Sequence, residues 1–284
     1  MTDPDLSTAD VGFTSAFDLV EGRRAGDFTS VELVSTLLHR IQTVDDCEDG
    51  VQSVLAIASD LMQQAQDCDA VAATGLLHGI PVLVKDNIQA IGLPGTAGSL
   101  ALAGRTVVQD AELVTRLRSA GAIIMGSTNL SEWANIRSGK STSGWSAVGG
   151  LTANPWNYKH SAGGSSSGSG AAVAAGIVHM AVGTETDGSI VCPASLNGVV
   201  GIKPTVGSVP TDGVVPVSAS QDTPGSLART VDDAERMLAV LMDDASLLSR
   251  SALVDVSSLS VGVVDVWRTG HETTDALFDE AVQY

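Results

Sequence analysis

Two short segments rich in glycine and serine hold the residues best suited to chemistry. The first covers residues 163–170 (GGSSSGSG) and the second covers residues 183–189 (GTETDGS). Small residues before a serine let several backbone N–H groups approach one point, because no Cβ atom blocks their approach. The two segments therefore predict a site for an anion, either a bound phosphate or the oxyanion of a reaction intermediate.

A phosphate-binding loop is the first of these two alternatives. A Walker-type loop ends on lysine followed by serine or threonine, whereas the first segment ends on Ser169 and Gly170 and is followed by Ala171. A dinucleotide-binding loop needs a third glycine after Gly168 and Gly170, but that position is Val173. No convincing strand precedes the segment. The pattern therefore argues against nucleotide binding.

Hydrolysis of an amide is the second alternative, and it needs a nucleophilic hydroxyl, a proton for the leaving amine and N–H donors for the oxyanion. The backbone of Thr186, Asp187, Gly188 and Ser189 is suited to supply those donors. A lysine acts as a base only when it is neutral, which requires burial to lower its pKa from about 10.4. Lys85 follows an apolar strand and is the candidate base, although spacing alone does not show that these residues meet.

A triad of serine, histidine and aspartate is another hydrolytic arrangement. His78, His160 and His179 are the candidate histidines, but none lies in a supporting motif, and we predict structural roles for them. Cys192 has no candidate base nearby and is predicted to contribute to packing. The three cysteines lack CxxC spacing, so we expect reduced thiols, with neither a disulfide framework nor a metal site.

Alternating strands and helices are predicted to position these residues. The apolar run at 80–84 predicts a strand that ends at Lys85, and runs at 122–125, 199–202 and 261–264 predict three more. Helices are predicted at 31–41, after a capping box between Thr29 and Glu32, and at about 52–66, 111–120, 171–175, 231–242 and 275–284. This alternation favours an α/β fold with helices on the faces of a sheet.

Residues 138–170 are so rich in serine and glycine that composition alone suggests a flexible linker. Two observations oppose that interpretation. The segment continues directly into the apolar helix predicted at 171–175, and it contains Trp145 and Trp156. We therefore expect the segment to be folded.

The composition limits the partners that the chain can bind. It has 33 acidic and 15 basic residues among 284, a net charge of −18, which disfavours nucleic acid and anionic membrane surfaces. The longest stretch of small apolar residues, 171–183, is interrupted by a glycine and a histidine and is too short to cross a bilayer. Asp3, Asp5 and Asp10 belong to no secretion signal, so we expect a cytoplasmic protein.

Three blocks of the sequence resemble the hallmark blocks of the amidase signature family. They are residues 78–90, which begin HGIPVLVKDNI, residues 163–170 and residues 183–204. Their order and the 24-residue spacing from Ser165 to Ser189 are also similar to the family pattern. The segments 126–132 and 198–205 resemble further family blocks, and the similarity covers about residues 15–284.

The resemblance implies a triad and a role for each of its members. Ser189 matches the nucleophile that becomes acylated, and Lys85 matches the general base. Ser165 matches a bridging serine that follows a cis peptide bond and relays a proton between them, with Ser166 as the alternative for this role. The backbone of residues 186–189 would form the oxyanion hole. The resemblance implies no metal and no organic cofactor.

The resemblance also implies the architecture, a mixed central sheet covered by helices on both faces. Residues 1–70 would be an N-terminal helical region of the same domain, and residues 71–284 would form the α/β core. Family members are usually longer, and their sheet continues past the equivalent of Tyr284. We therefore expect this chain to be truncated at its C-terminal end.

The sequence defines the substrate-binding residues less sharply. Ser141, Gly163, Gly164 and Trp133 are the candidates, and Trp133 is equally suited to the hydrophobic core. The sequence does not indicate an oligomeric state.

The strings at 131–135, 141–146 and 184–193 look most similar to the peptide amidase branch, which removes the C-terminal amide of peptides. Many family members have an arginine two positions after the nucleophile, where this chain has Val191. In the A subunits of aminoacyl-tRNA amidotransferases, that arginine helps to hold a charged substrate. We therefore predict hydrolysis of a peptide or small-molecule primary amide. The alternatives are a non-catalytic fragment and an amidotransferase A subunit.

Overall fold

The computed structural model describes residues 11–251, 255–260 and 262–283. Outside them lie five residues that the sequence predictions used: Asp3, Asp5, Asp10, Val261 and Tyr284. The chain divides into two compact units, Met1–Leu248 and Ser249–Tyr284. The first unit contains the sheet and all the candidate catalytic residues.

The centre of the first unit is a mixed sheet of six strands. Two further strands lie outside this sheet. In chain order the eight strands of the described residues are β1 (Val54–Ile57), β2 (Pro81–Lys85), β3 (Ile123–Thr128), β4 (Trp145–Ser146), β5 (Gly150–Leu151), β6 (Met180–Glu185), β7 (Val200–Ile202) and β8 (Thr223–Ala228). Strands β4 and β5 form a separate pair, and the order in the large sheet is β1-β3-β2-β6-β8-β7. Strand β2 lies parallel to its neighbours β3 and β6, whereas the other adjacent strands are antiparallel.

The parallel pair of β2 and β6 determines where the candidate site forms. Both strands are buried along their whole length, and Val84 of β2 is paired with Val182 of β6. Parallel strands end at the same edge of a sheet, where sites in α/β folds commonly form. Lys85 at the end of β2 therefore lies at the same edge as the residues that follow Glu185.

The helices follow the predicted alternation with the strands. In chain order they are α1 (Ala16–Ala25), α2 (Ser30–Arg40), α3 (Leu61–Asp69), α4 (Glu112–Ser119), α5 (Ser167–Ala174), α6 (Val191–Asn197), α7 (Val231–Met242), α8 (Ser246–Ser251) and α9 (Glu272–Val282). Single turns of other helix types lie at Ile41–Asp45, Glu132–Asn135, Val256–Ser258 and Asp265–Trp267. Within the described parts of the chain, none of these helices has the length and apolar composition needed to cross a bilayer.

Helices from different parts of the chain flank the sheet. Helix α5 contacts β2, β3, β6 and β8, helix α7 contacts β6, β7 and β8, and helices α3 and α4 contact β3. Every residue of α5 is buried, which explains why this helix is apolar or small on all sides. The mixed sheet flanked by helices confirms the predicted fold class.

Several predicted elements are confirmed in detail. The Thr29 hydroxyl accepts a hydrogen bond from the Glu32 N–H at 3.1 Å, and the Glu32 carboxylate accepts one from the Thr29 N–H at 2.7 Å, which is the predicted capping box at the start of α2. The serine-rich segment at 138–170 is folded, as expected. Its Trp156 Nε1 donates to the Asn197 carbonyl oxygen at 2.7 Å.

Two predictions of secondary structure are wrong. Within the helix predicted at about 52–66, Val54–Ile57 forms β1, and the helix begins only at Leu61. Strand β1 pairs with β3, and this tertiary pairing overrides the local helical pattern. The strand predicted at 261–264 is also wrong where the chain is described, because residues 262–264 have no regular structure.

Strands β6 and β8 were not indicated by the sequence patterns. Each contains a glycine, and Gly183 of β6 is paired with Gly225 of β8. A Cβ atom on Gly225 would lie 2.2 Å from the Ile202 carbonyl oxygen, and one on Gly183 would lie 2.8 Å from the Ser166 Oγ. Close packing therefore requires glycine at both positions, although glycine has a low propensity for strands.

Helix α5 packs so closely that Gly168 leaves no space for a side chain. A Cβ atom there would lie 2.3 Å from the Ser53 carbonyl oxygen and 2.6 Å from the Asn129 carbonyl oxygen. Gly168→Ala should therefore lower the free energy of unfolding by about 2–3 kcal/mol, although alanine favours helices. The control is Gly139→Ala, at an exposed position with no neighbour within 4 Å. Equal urea-unfolding midpoints for the two variants would contradict this packing.

Candidate active site

Lys85 is fully buried at the end of β2. Its Nζ donates to the Ser165 Oγ at 2.7 Å, to the Thr184 Oγ1 at 2.9 Å and to the Thr184 carbonyl oxygen at 3.2 Å. Burial lowers the pKa of Lys85 to about 7, and the nearby carboxylates of Glu185 and Asp222 oppose this shift without cancelling it. A substantial fraction of the amine is therefore neutral at neutral pH and able to accept a proton.

Ser165, rather than Ser166, is the serine that contacts Lys85. It follows a cis peptide bond, and its carbonyl oxygen accepts a hydrogen bond from the Ser131 N–H at 3.1 Å. The Ser166 hydroxyl instead donates to the Thr184 carbonyl oxygen at 3.1 Å and accepts from the Thr184 N–H at 3.2 Å. The Ser166 hydroxyl thus links α5 to β6, and the Ser165 hydroxyl faces the lysine.

Ser189 lies half-buried in the turn between β6 and α6. Two carboxylates hold this turn. The Glu185 side chain accepts hydrogen bonds from the N–H groups of residues 190–191 at 2.7 and 2.9 Å. The Asp222 Oδ1 accepts one from the Thr186 hydroxyl at 2.5 Å. The position of Ser189 is therefore fixed by contacts on both sides of the turn.

The predicted oxyanion-hole residues lie in the same turn. Gly188 has a φ of +76°, a left-handed conformation that glycine adopts without a steric penalty. Within the described residues, the backbone N–H groups of Asp187, Gly188 and Ser189 donate no hydrogen bond. These groups are therefore available to an external acceptor, as an oxyanion hole requires.

Ser165 and Ser189 line one cleft at this edge of the sheet. Asn87 also lines it, and the Asn87 Nδ2 donates to the Thr184 Oγ1 at 3.0 Å, so Asn87 and Lys85 share one hydroxyl as their acceptor. The remaining lining residues are Ala134, Thr184, Glu185, Thr186, Thr211, Val214, Val215, Val217, Asp222, Thr223 and Pro224. Two serines therefore line the cleft, and the hydroxyl of one of them, Ser165, contacts a buried lysine. We call this cavity the catalytic cleft below.

Two of the four candidate substrate-binding residues make local contacts outside the catalytic cleft. The Ser141 Oγ donates to the Ser138 carbonyl oxygen at 2.8 Å within its own turn. The Trp133 N–H donates to the Ala97 carbonyl oxygen at 3.0 Å, and the next residue, Ala134, lines the cleft. In the described part of the chain, neither Ser141 nor Trp133 is among the lining residues.

The other two candidates, Gly163 and Gly164, support the position of Ser165. A Cβ atom on Gly164 would lie 2.4 Å from the Ser131 Oγ and 2.6 Å from the Ser143 Oγ. Gly163 has a φ of +72°, and a Cβ atom there would lie 3.2 Å from the backbone of α6. Both glycines thus permit close packing around the serine, and neither lines the catalytic cleft among the described residues.

Four residues of the site were not singled out from the sequence. Thr184 and Asn87 complete the hydrogen bonds around Lys85, and Glu185 and Asp222 hold the turn of Ser189. Asn87 had a sequence signal, because it lies in the block at 78–90, two positions after the candidate base Lys85. Asp222 had none, since its contact with Thr186 joins residues 36 positions apart.

The three histidines considered for a triad lie elsewhere. The His78 Nε2 is 3.0 Å from the Cys68 carbonyl oxygen, and the His179 Nε2 is 2.7 Å from the Val11 carbonyl oxygen. His160 is exposed. Among the described residues, none of the three lines the catalytic cleft.

Comparisons with known proteins identify the family of this chain. The profile of the Amidase family matches residues 32–278. A solved structure of native peptide amidase from Stenotrophomonas maltophilia is 47% identical, with a TM-score of 0.79, over 86% of this chain and 50% of that chain. An amidase-family relative from Schizosaccharomyces pombe is 46% identical over 214 residues, which are 74% of this chain and 36% of the relative.

A third relative is the A-type subunit of the glutamyl-tRNA(Gln) amidotransferase from Symbiobacterium thermophilum. It is 41% identical over 223 residues, which are 76% of this chain and 44% of the relative. The chain thus spans half or less of the length of each of these three proteins. The family match nevertheless includes every residue of the catalytic cleft and most of the chain. The chain therefore belongs to the amidase family, as its sequence blocks predicted.

Proposed function

We propose that the chain hydrolyses the C–N bond of a carboxamide to a carboxylate and ammonia, through an acyl-enzyme on Ser189. One observation carries the proposal. The buried Lys85 Nζ lies 2.7 Å from the Ser165 Oγ, beside the cleft that Ser189 also lines. A neutral amine, a relay hydroxyl and a nucleophilic hydroxyl are the groups that amide hydrolysis requires.

Each residue has one role in the proposed reaction. Neutral Lys85 accepts the proton of Ser165, and Ser165 accepts the proton of Ser189 as the Ser189 Oγ attacks the carbonyl carbon. The N–H groups of residues 186–189 stabilise the oxyanion. The relay then returns a proton to the leaving nitrogen, the C–N bond breaks and ammonia departs. Water then gives a proton to the relay and attacks the carbonyl carbon of the resulting ester. The relay returns the proton to the Ser189 Oγ, the ester C–O bond breaks and the acid product leaves as its carboxylate.

The proposed substrates are C-terminal amides of peptides or similar primary amides. The 47% identity to a peptide amidase structure supports this class. We also place the reaction in the cytoplasm, because the three cysteines are free thiols, as is usual in a reducing compartment. The net charge of −18 favours a small-molecule or peptide partner over nucleic acid or an anionic membrane.

An amidotransferase A subunit is the second candidate function, since one relative carries that name. Such a subunit would work in a stable complex and transfer ammonia from glutamine. This chain has the exposed, uncharged Val191 two positions after Ser189, where the family resemblance implies a substrate-holding arginine in those subunits. Ammonia release from a peptide amide without a partner protein would support hydrolysis over transfer.

The nucleophile assignment predicts a specific loss of activity. The purified chain should release ammonia from a blocked dipeptide amide, and Ser189→Ala should lower kcat/KM by at least about 1,000-fold, because the attacking oxygen is removed. Ser195→Ala is the matched control, since Ser195 is an exposed serine on α6, six residues after Ser189. An ammonia assay that gave both variants the wild-type rate would rule out Ser189 as the nucleophile.

The buried base predicts the pH dependence of the rate. Because Lys85 is active only when neutral and burial sets its pKa at about 7, kcat/KM should rise about tenfold per pH unit below that value and level off above it. Initial rates between pH 5 and pH 9 give this profile. A profile that is flat through pH 7 would show that no base with this pKa takes part.

A further inference from the structure

A second pocket adjoins the catalytic cleft, and we call it the side pocket. Asn87 and Val215 line both cavities. The other polar residues around the side pocket are Gln89, Arg105, Thr106 and Gln109. The Asn87 Nδ2 lies 3.0 Å from the Thr184 hydroxyl that also binds Lys85, so the side chains of Asn87 and Thr184 connect the side pocket to the proposed base.

Arg105 is the charged residue of the side pocket, and its contacts differ from those of the other arginines. Other arginines whose side chains are described bind a carboxylate, a backbone carbonyl or an aromatic face. Within the described residues, the Arg105 guanidinium has no such partner, and no carboxylate lines the side pocket. The chain has 33 acidic residues against 15 basic ones, so an arginine left without an acid is available for an external anion.

The neutral residues of the side pocket suit the same kind of group. Gln89, Thr106 and Gln109 can each donate a hydrogen bond. Among the described residues, their side chains make no hydrogen bond. A carboxylate accepts hydrogen bonds without donating any, and it pairs with a guanidinium through two parallel contacts. The chemistry of the side pocket therefore matches a carboxylate.

We propose that the side pocket binds a carboxylate on the acyl part of the substrate, with Arg105 as the residue that determines this specificity. The proposal rests on the proposed amidase function. A primary amide releases only ammonia, so any second group that reaches the side pocket belongs to the acyl part. The chain would then prefer amides of acidic residues over neutral amides of the same size.

Paired substrates test this preference. N-acetylglutamic acid α-amide and its γ-methyl ester differ in charge and little in shape. The wild-type chain should favour the acid in kcat/KM by about three- to tenfold, the range for one solvent-accessible charge contact. Arg105→Gln should bring the acid-to-ester ratio close to one. Arg24→Gln, at an exposed arginine on α1, should keep the wild-type ratio.

Binding to the Ser189→Ala chain, measured by calorimetry, separates this proposal from the amidase proposal. The acid should bind more tightly than the ester, and addition of Arg105→Gln should remove the difference. If the wild-type chain hydrolyses neither compound but this binding difference is present, the side pocket stands and the amidase proposal fails. Equal binding of acid and ester, or an unchanged acid-to-ester ratio in Arg105→Gln, would overturn the side-pocket proposal.

Discussion

Lys85 holds its amine at the end of a fully buried strand, where burial favours the neutral form and two carboxylates favour the charged form. Burial is the larger of the two effects, and both carboxylates also accept hydrogen bonds from other groups. Glu185 accepts hydrogen bonds from the backbone of residues 190–191, and Asp222 accepts them from Thr186 and from the backbone of residues 217–218. The two acids that oppose the effect of burial on Lys85 therefore hold the turn of the proposed nucleophile.

This arrangement depends on small residues, because the elements that meet at Lys85 approach one another very closely. Helix α5 is buried on every side, and Gly168 lets it contact the backbone of Asn129. Gly164 lets Ser131 approach the residue before Ser165. The glycine- and serine-rich composition that suggests a linker is thus a consequence of dense packing around the site, which larger side chains would prevent.

Some features of the site could be predicted from the sequence, and others could not, for physical reasons. Lys85 could be placed at a strand end because apolar runs mark buried strands. The family resemblance then assigned Lys85, Ser165 and Ser189 to one predicted triad. The contact between Thr186 and Asp222 could not be predicted, because it depends on how β8 lies against β6. Those two strands contain paired glycines, whose local signal points to turns. The roles of the triad and of the candidate substrate-binding residues remain predictions.

Covalent labelling is the most direct test of Lys85 as the base that activates Ser189. A fluorophosphonate reacts with a serine hydroxyl that a base has activated, so intact mass and peptide mapping of the treated chain report on Ser189 and its base together. If Lys85 activates Ser189 through Ser165, one adduct should form on Ser189, be absent in Ser189→Ala and form more slowly in Lys85→Ala. An adduct on Ser165 or on another serine, or an unchanged labelling rate in Lys85→Ala, would contradict this mechanism.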